Sequence, residues 1–246
     1  MTAGTANGTV YGIGLGPGDP DLMSVRADRL LRGARHLAYF RKAGRKGQAR
    51  TIVEGMLPEN VIEFAMEYPV TTEIPVENPR YNQILSQFYT DCTAHLRSLI
   101  LAGEDVVVLC EGDPFFYGSF MHLYSRLKDL VPVQVVPAIT GMSGAWTATG
   151  QPITWGDDVL TVLMGTLPED DLARRMADTD ALVVMKIGRN MPKIRRALDR
   201  AGLLQSAWVV EYATMAKQTV CRLAEADDNR APYFSIIVVH GNGRRP

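Results

Sequence analysis

The sequence predicts an α/β protein, on three grounds. Short apolar runs of strand length alternate with stretches of helical apolar spacing along most of the chain. One run, DVVVLCEGDP at residues 105–114, is apolar without a break until a turn begins, as suits a strand covered on both faces of a parallel sheet. Two strand ends open into glycine-bearing turns, where open α/β sheets collect ligands.

Taken in order, VYGIGLG at 10–16 reads as a first strand entering a turn. A helix follows over 24–33: Ser24 can cap it, Val25, Leu30, Leu31 and Ala34 form its apolar stripe, and Gly33 lies near its end. HLAYF at 36–40 is a second strand, 41–50 has the glycine and charge of a loop, and a third element begins within 60–64. Across 79–102, Tyr81, Ile84, Leu85, Phe88, Cys92, Leu96, Leu99 and Ile100 recur at helical spacing, and Gly103 ends the helix. After the strand at 105–114 come a helix at 120–130 and a strand at 133–136, closed by Pro137. The second half continues with strands at 159–164, 181–186, 208–212 and 235–240, and helices at 168–177 and 191–201. No internal repeat is visible. Proline, glycine, serine and threonine concentrate in 137–150, which divides the chain into an N-terminal α/β domain over 1–138 and a C-terminal α/β domain over 139–246.

Composition narrows the function. At 246 residues and 46% apolar content the chain can bury a substantial core. A formal charge of −1 gives no electrostatic reason to expect a nucleic-acid partner. The aliphatic runs are far too short to span a bilayer, and the opening MTAGTANGT lacks the basic start and apolar stretch of a leader. A cytoplasmic protein without a membrane partner is expected. Cys92, Cys110 and Cys221 are odd in number and widely spaced, and His36, His95, His122 and His240 have no ligand spacing, so neither a disulfide framework nor a metal site is expected. Charge is uneven, however: nine basic residues between Arg26 and Arg50 stand against one acid, Asp28, an excess of eight. Such a segment is either a solvated face with a loop or a surface for a polyanionic ligand.

The first turn, YGIGLGPGDPDL, has Gly12, Gly14, Gly16 and Gly18 at alternate positions, so backbone can approach a ligand closely. It does not fit the dinucleotide pattern G-x-G-x-x-G, whose third glycine would fall on Pro17 or Asp19. Alone, the turn fits a tight bend equally well. The second turn, CEGDPFFYGS, adds Glu111 and Asp113 as carboxylates, Gly112 for close approach, and Phe115, Phe116 and Tyr117 as walls for an adenine or a flat pigment. Asp113-Pro114 could also simply start a helix.

GIGLGPGDPDLMSVRA, VVVLCEGDPFFYGS with VQVVPAITGMSG, EYATMAKQ and the terminal PYFSIIVVHG together resemble the uroporphyrinogen and precorrin (tetrapyrrole) methylase family, in the family's order over nearly the whole chain. EGDPFFYGSFMHLYSRL and ITGMSGAWTATG are most similar to the branch that methylates the C20 meso carbon of precorrin-2. Ser24 stands in place of the usual threonine, Ala138 in place of glycine, and Lys186 where many relatives carry methionine.

The resemblance implies a class III methyltransferase-like pair of α/β domains, dimerised, with S-adenosylmethionine in a cleft between them. It implies cofactor contacts from Pro17 in the first turn and from Glu111, Gly112, Asp113 and Phe116 in the second. Thr140 and Gly141, Met185 or Lys186, Ala213 and Tyr233 would supply the others, many through backbone. Since the substrate of that branch carries eight carboxylates, Arg26, Arg41 and Lys42 are its candidate partners, with arginine favoured for bidentate contact. No nucleophile is needed, and none is seen: Ser143 sits in TGMSGA, outside any G-x-S-x-G elbow. Glu111 or Tyr117 could accept the proton lost on carbon methylation. Other family branches, a nicotinamide-dependent reductase and a non-catalytic pigment carrier are the alternatives.

Overall fold

A computed structural model of the chain describes residues 7–70, 78–226 and 231–245. They form two compact units that divide between Thr140 and Gly141.

The first unit runs β1 (Val10–Gly14), α1 (Val25–Arg32), β2 (His36–Lys42), α2 (Gln48–Ile52), β3 (Ile62–Tyr68), α3 (Pro79–Leu101), β4 (Val106–Cys110), α4 (Phe120–Leu127) and β5 (Val133–Val136). Its sheet has the order β3-β2-β4-β1-β5, every pair parallel. The unbroken apolar run of β4 follows from its central place. Val106, Val108 and Cys110 enter a core under α3 and α4, while Val107 and Leu109 enter a second core under α1 and α2. All five β4 residues are buried.

Helix starts follow local chemistry. The Ser24 hydroxyl accepts from Ala27 N at 3.2 Å, and the Asn78 carboxamide accepts from Arg80 N at 2.9 Å, with Pro79 opening α3. The face that α1 buries is Ala27, Leu31 and the following Ala34. Val25, expected in that stripe, is 74% exposed because it begins the helix on the solvent side.

The second unit runs α5 (Gly141–Ala148), β6 (Leu160–Met164), α6 (Glu169–Met176), β7 (Ala181–Met185), α7 (Met191–Arg200), β8 (Trp208–Glu211), β9 (Thr219–Arg222) and β10 (Ser235–Val239). Its sheet has the order β6-β7-β10-β8-β9. Here β6 and β7 are parallel, whereas β10 is antiparallel to both its neighbours and β9 to β8. Leu182, Val184, Ile237 and Val239 face a core formed with α6 and α7, and Val183 and Val238 face the opposite layer with α5.

Three elements were not expected from the sequence: α2 in the charged loop, α5 within 137–150, and the edge strand β9. The small residues of 141–148 are therefore helical and not linker. Gly144 and Ala145 are buried, which lets α5 lie close to the sheet.

Candidate functional site

In the first unit the two glycine turns are joined by main chain. Leu15 N donates to Cys110 O and Gly112 N donates to Gly16 O, each at 2.9 Å, and Gly16 and Gly112 form an isolated antiparallel bridge beyond the parallel strands. A third loop, following β5, meets them. A Cβ placed on Gly14 would lie 2.4 Å from Ala138 Cβ, 2.7 Å from Gly112 O and 3.0 Å from Pro114 Cδ. Glycine at 14 is thus required by convergence of three loops. The sequence marked Gly14 for close backbone approach to a ligand and Ala138 as a departure from the family's glycine, but not the contact between them. Pro17 is buried within the first turn.

Asp113 closes the arrangement. One carboxylate oxygen accepts from Phe115 N and the other from Ala138 N, both at 2.9 Å. Both side-chain oxygens are thereby engaged within the protein, and no helix starts until Phe120. Phe116 is half-buried with its ring edge-on to Tyr117 at 4.9 Å, and Tyr117 is exposed with a left-handed φ of 55°.

Left-handed backbone recurs at the other expected positions. Among the described residues the non-glycine residues with positive φ are Tyr117, Lys186, Tyr212 and Thr214. Each lies in a segment the motifs pointed to, with Tyr212 and Thr214 flanking Ala213. Strain of this kind, of order 1 kcal/mol or more per residue, persists only where the surroundings over-determine it, and it gathers at ligand clamps.

In the second unit these segments share one edge of the sheet. Register pairs Met164 with Met185, Ile237 with Val184, and Ser235 with Glu211, so the carboxyl ends of β6, β7 and β8 and the amino end of β10 align. Gly165 N donates to Met185 O at 2.7 Å, and Tyr212 N to Phe234 O at 2.7 Å. Met185 and Ala213 join the layer under α5, and a Cβ on Gly141 would come within 3.5 Å of Ile236 Cδ1. Gly141, Met185, Lys186, Ala213 and the exposed Tyr233 are thus gathered at that edge, with Thr140 immediately before it in the chain.

The Glu111 side chain turns inward, where Ala49 N in the first turn of α2 donates to it at 3.1 Å. Burial pushes its carboxyl up to about 7 from an ordinary 4.5, against the lowering effect of that hydrogen bond. The folded state therefore holds this proton more tightly than the unfolded chain. Its stabilising contribution is full below about pH 4.5 and is lost as pH climbs through about 7. Glu111→Gln keeps an acceptor for Ala49 and cannot ionise. Melting temperature followed against pH should show the wild type losing ground to this variant across that window; a constant difference would refute the assignment.

The basic segment departs from expectation. Arg32 pairs with Asp28 at 2.8 Å, Arg35 with Glu104 at 2.8 Å, Lys46 with Glu54 at 2.6 Å and Arg50 with Glu63 at 2.9 Å. Arg41 Nε donates to Glu67 at 2.8 Å, and Arg26 donates to Gln134 of β5 at 2.6 Å. Lys42, at the carboxyl end of β2, also has a partner. Half of the local excess seen along the chain is offset in space by four acids, Glu63 and Glu67 of β3, Glu54 just after α2, and Glu104 before β4.

Comparison with known proteins bears directly on this geometry. Residues 9–227 match the family model for tetrapyrrole (corrin/porphyrin) methylases. The chain belongs to that family. Among similar proteins, the precorrin-2 C(20)-methyltransferase of a Sinorhizobium species is 49% identical over 99% of this chain and 100% of its own length. The cobalt-precorrin-2 C(20)-methyltransferase of Salmonella typhimurium is 30% identical over 95% of this chain and 97% of its own. The solved uroporphyrin-III C-methyltransferase of Thermus thermophilus, complexed with S-adenosylhomocysteine, shares the fold with a TM-score of 0.65, at 24% identity and covering 95% of this methylase and 92% of that chain. Among the described residues no helix of the methylase is long and apolar enough to cross a membrane, and no three His, Cys, Asp or Glu residues are grouped to hold a metal ion.

Proposed function

We propose that this methylase transfers the methyl group of S-adenosylmethionine to C20 of precorrin-2, giving precorrin-3A in cobalamin biosynthesis. The observation that carries this reading is the 49% identity to a precorrin-2 C(20)-methyltransferase across both full lengths. The donor set fits the cofactor. Glycine turns offer main-chain groups without side chains in the way, Phe116 offers an apolar wall, and Pro17 withholds the amide a pyrophosphate would use.

S-adenosylmethionine supplies an already activated methyl on a sulfonium, so the protein's task is positioning. Pro17, Glu111, Gly112, Asp113, Phe116, Thr140, Gly141, Met185, Lys186, Ala213 and Tyr233 would hold the cofactor, largely through main chain, and catalysis would rest on that positioning and on the exclusion of water. Glu111 or Tyr117 would take the proton lost from carbon. The resemblance also nominates Arg26, Arg41 and Lys42 for carboxylate arms of the substrate, a role that would cost Arg26 and Arg41 their bonds to Gln134 and Glu67. The working enzyme is a cytoplasmic homodimer whose domains span 1–138 and 139–246, with a tetrapyrrole as its small-molecule partner and neither nucleic acid nor membrane.

Anaerobic incubation with freshly prepared precorrin-2 and methyl-labelled S-adenosylmethionine tests the reading. One labelled methyl should appear at C20. Transfer to another ring position, or none at all, would overturn it.

A further inference from the structure

Of the residues the sequence nominated, Arg26 is bonded to Gln134, Arg41 to Glu67, and Lys42 also has a partner, yet a substrate with eight carboxylates needs cations that are not already committed. Such cations gather at one edge of the second sheet. Lys186 follows β7 directly, is exposed, and is held in a left-handed conformation with φ of 54°. Asn190 Nδ2 donates to its carbonyl at 3.4 Å, and glycine at 165 leaves that carbonyl room, since a Cβ there would come within 3.0 Å of it. Arg189 is exposed in the single tight turn of Gly188–Asn190 that follows. Lys217, in the ordered loop after β8, sits with Nζ 3.7 Å from the centroid of the Tyr212 ring, a contact that orients the ammonium without neutralising it.

None of these three has a carboxylate within ion-pair distance among the described residues. Glu211, the acid that ends β8, instead accepts from the Thr219 hydroxyl at 3.3 Å. Since β7 and β8 are separated by one strand, their ends stand roughly 10 Å apart. That spacing suits separate arms of one macrocycle.

We infer that Lys186, Arg189 and Lys217, at one edge of the second sheet, form the surface that takes the acetate and propionate arms of the substrate. The inference rests on the proposed function in assuming a polycarboxylated tetrapyrrole. It also separates two parts of Lys186, with its main chain serving the cofactor and its ammonium serving the substrate. Binding a carboxylate here forms a new charge-assisted contact, whereas binding one at Arg41 must first strip Glu67 of its partner.

Fluorescence titration with uroporphyrin III, a stable octacarboxylate, tests the surface independently of turnover. Lys186→Met and Lys217→Met should each weaken binding about tenfold, Arg189→Gln should act in the same direction, and the wild-type affinity should fall as salt rises. Lys186→Met exchanges one unbranched side chain for another, so the left-handed backbone is burdened equally in both. Arg175→Gln and Lys128→Gln, which also each remove one exposed charge, should leave affinity unchanged. With precorrin-2 as substrate Lys217→Met should raise its KM while leaving kcat and the KM for S-adenosylmethionine in place.

Unchanged uroporphyrin affinity, weakening equal to that of the control variants, or a parallel rise in the KM for S-adenosylmethionine would each overturn the inference. Loss confined to Arg26→Gln and Arg41→Gln would return the role to the first unit. If the wild type binds uroporphyrin III through these cations but never methylates precorrin-2, the proposed function fails and the surface stands. An active wild type with unaffected variants gives the reverse.

Discussion

Gly14→Ala should abolish measurable binding of S-adenosylhomocysteine and destabilise the first unit by about 3 kcal/mol, at the upper end for overpacking. The added methyl would meet Ala138 Cβ at 2.4 Å and Gly112 O at 2.7 Å, and these belong to two different loops. Neither can withdraw alone. Gly112 is tied to Gly16 by its own amide, and Ala138 is tied to Asp113, so relief at one contact pulls on the other. Calorimetric titration together with urea unfolding would measure both effects. A variant that unfolds early yet binds S-adenosylhomocysteine with wild-type affinity would show that the joined turns are structural and lie away from the cofactor.

Asp113→Ala has the second largest expected effect. It removes the acceptor for Phe115 N and Ala138 N at once, and unsatisfied amides cost about 1 to 3 kcal/mol each where water cannot reach them. Since the first of these amides is exposed, the loss of stability should be nearer 2 kcal/mol than twice that range. Cofactor affinity should drop by more than stability, because the loop carrying Phe116 and Tyr117 loses its brace. Asp113→Asn retains one carbonyl oxygen and should recover part of both losses. Equal behaviour of the Ala and Asn variants in binding would count against the brace.

Much of the fold could be read from the chain, because the signals involved were local. Apolar continuity located β4, Ser24 located the start of α1, and helical apolar spacing located α3. What escaped was decided by distant partners. The stretch TGMSGAWTATG has the composition of a linker, yet it becomes α5 because Gly144 and Ala145 leave room for the sheet beneath, and Met142 and Trp146 at helical spacing were the available sign. The strand β9 is short and half-exposed, and its pairing with β8 had no signature in TVCR.

The site was legible to the same limit. The motif segments do gather at strand ends, but the commitments of individual charges could not be foreseen. Glu63, Glu67 and Glu104 reach the basic segment from 13 to 69 positions away along the sequence. The signs of φ at Lys186 and Tyr212 were equally hidden, since nothing in a lysine or a tyrosine announces a left-handed backbone.

Those left-handed residues bear on any effort to make a hardier catalyst. At about 1 kcal/mol each, Tyr117, Lys186, Tyr212 and Thr214 together withhold a sizeable part of the 5 to 15 kcal/mol by which proteins of this kind stay folded. Glycine at any of them is the obvious stabilising exchange, and a screen for heat resistance would favour it. Such a screen would be selecting against side chains in the segments that carry the family's motifs, so thermal tolerance and turnover should trade off at these four positions more sharply than elsewhere in the chain.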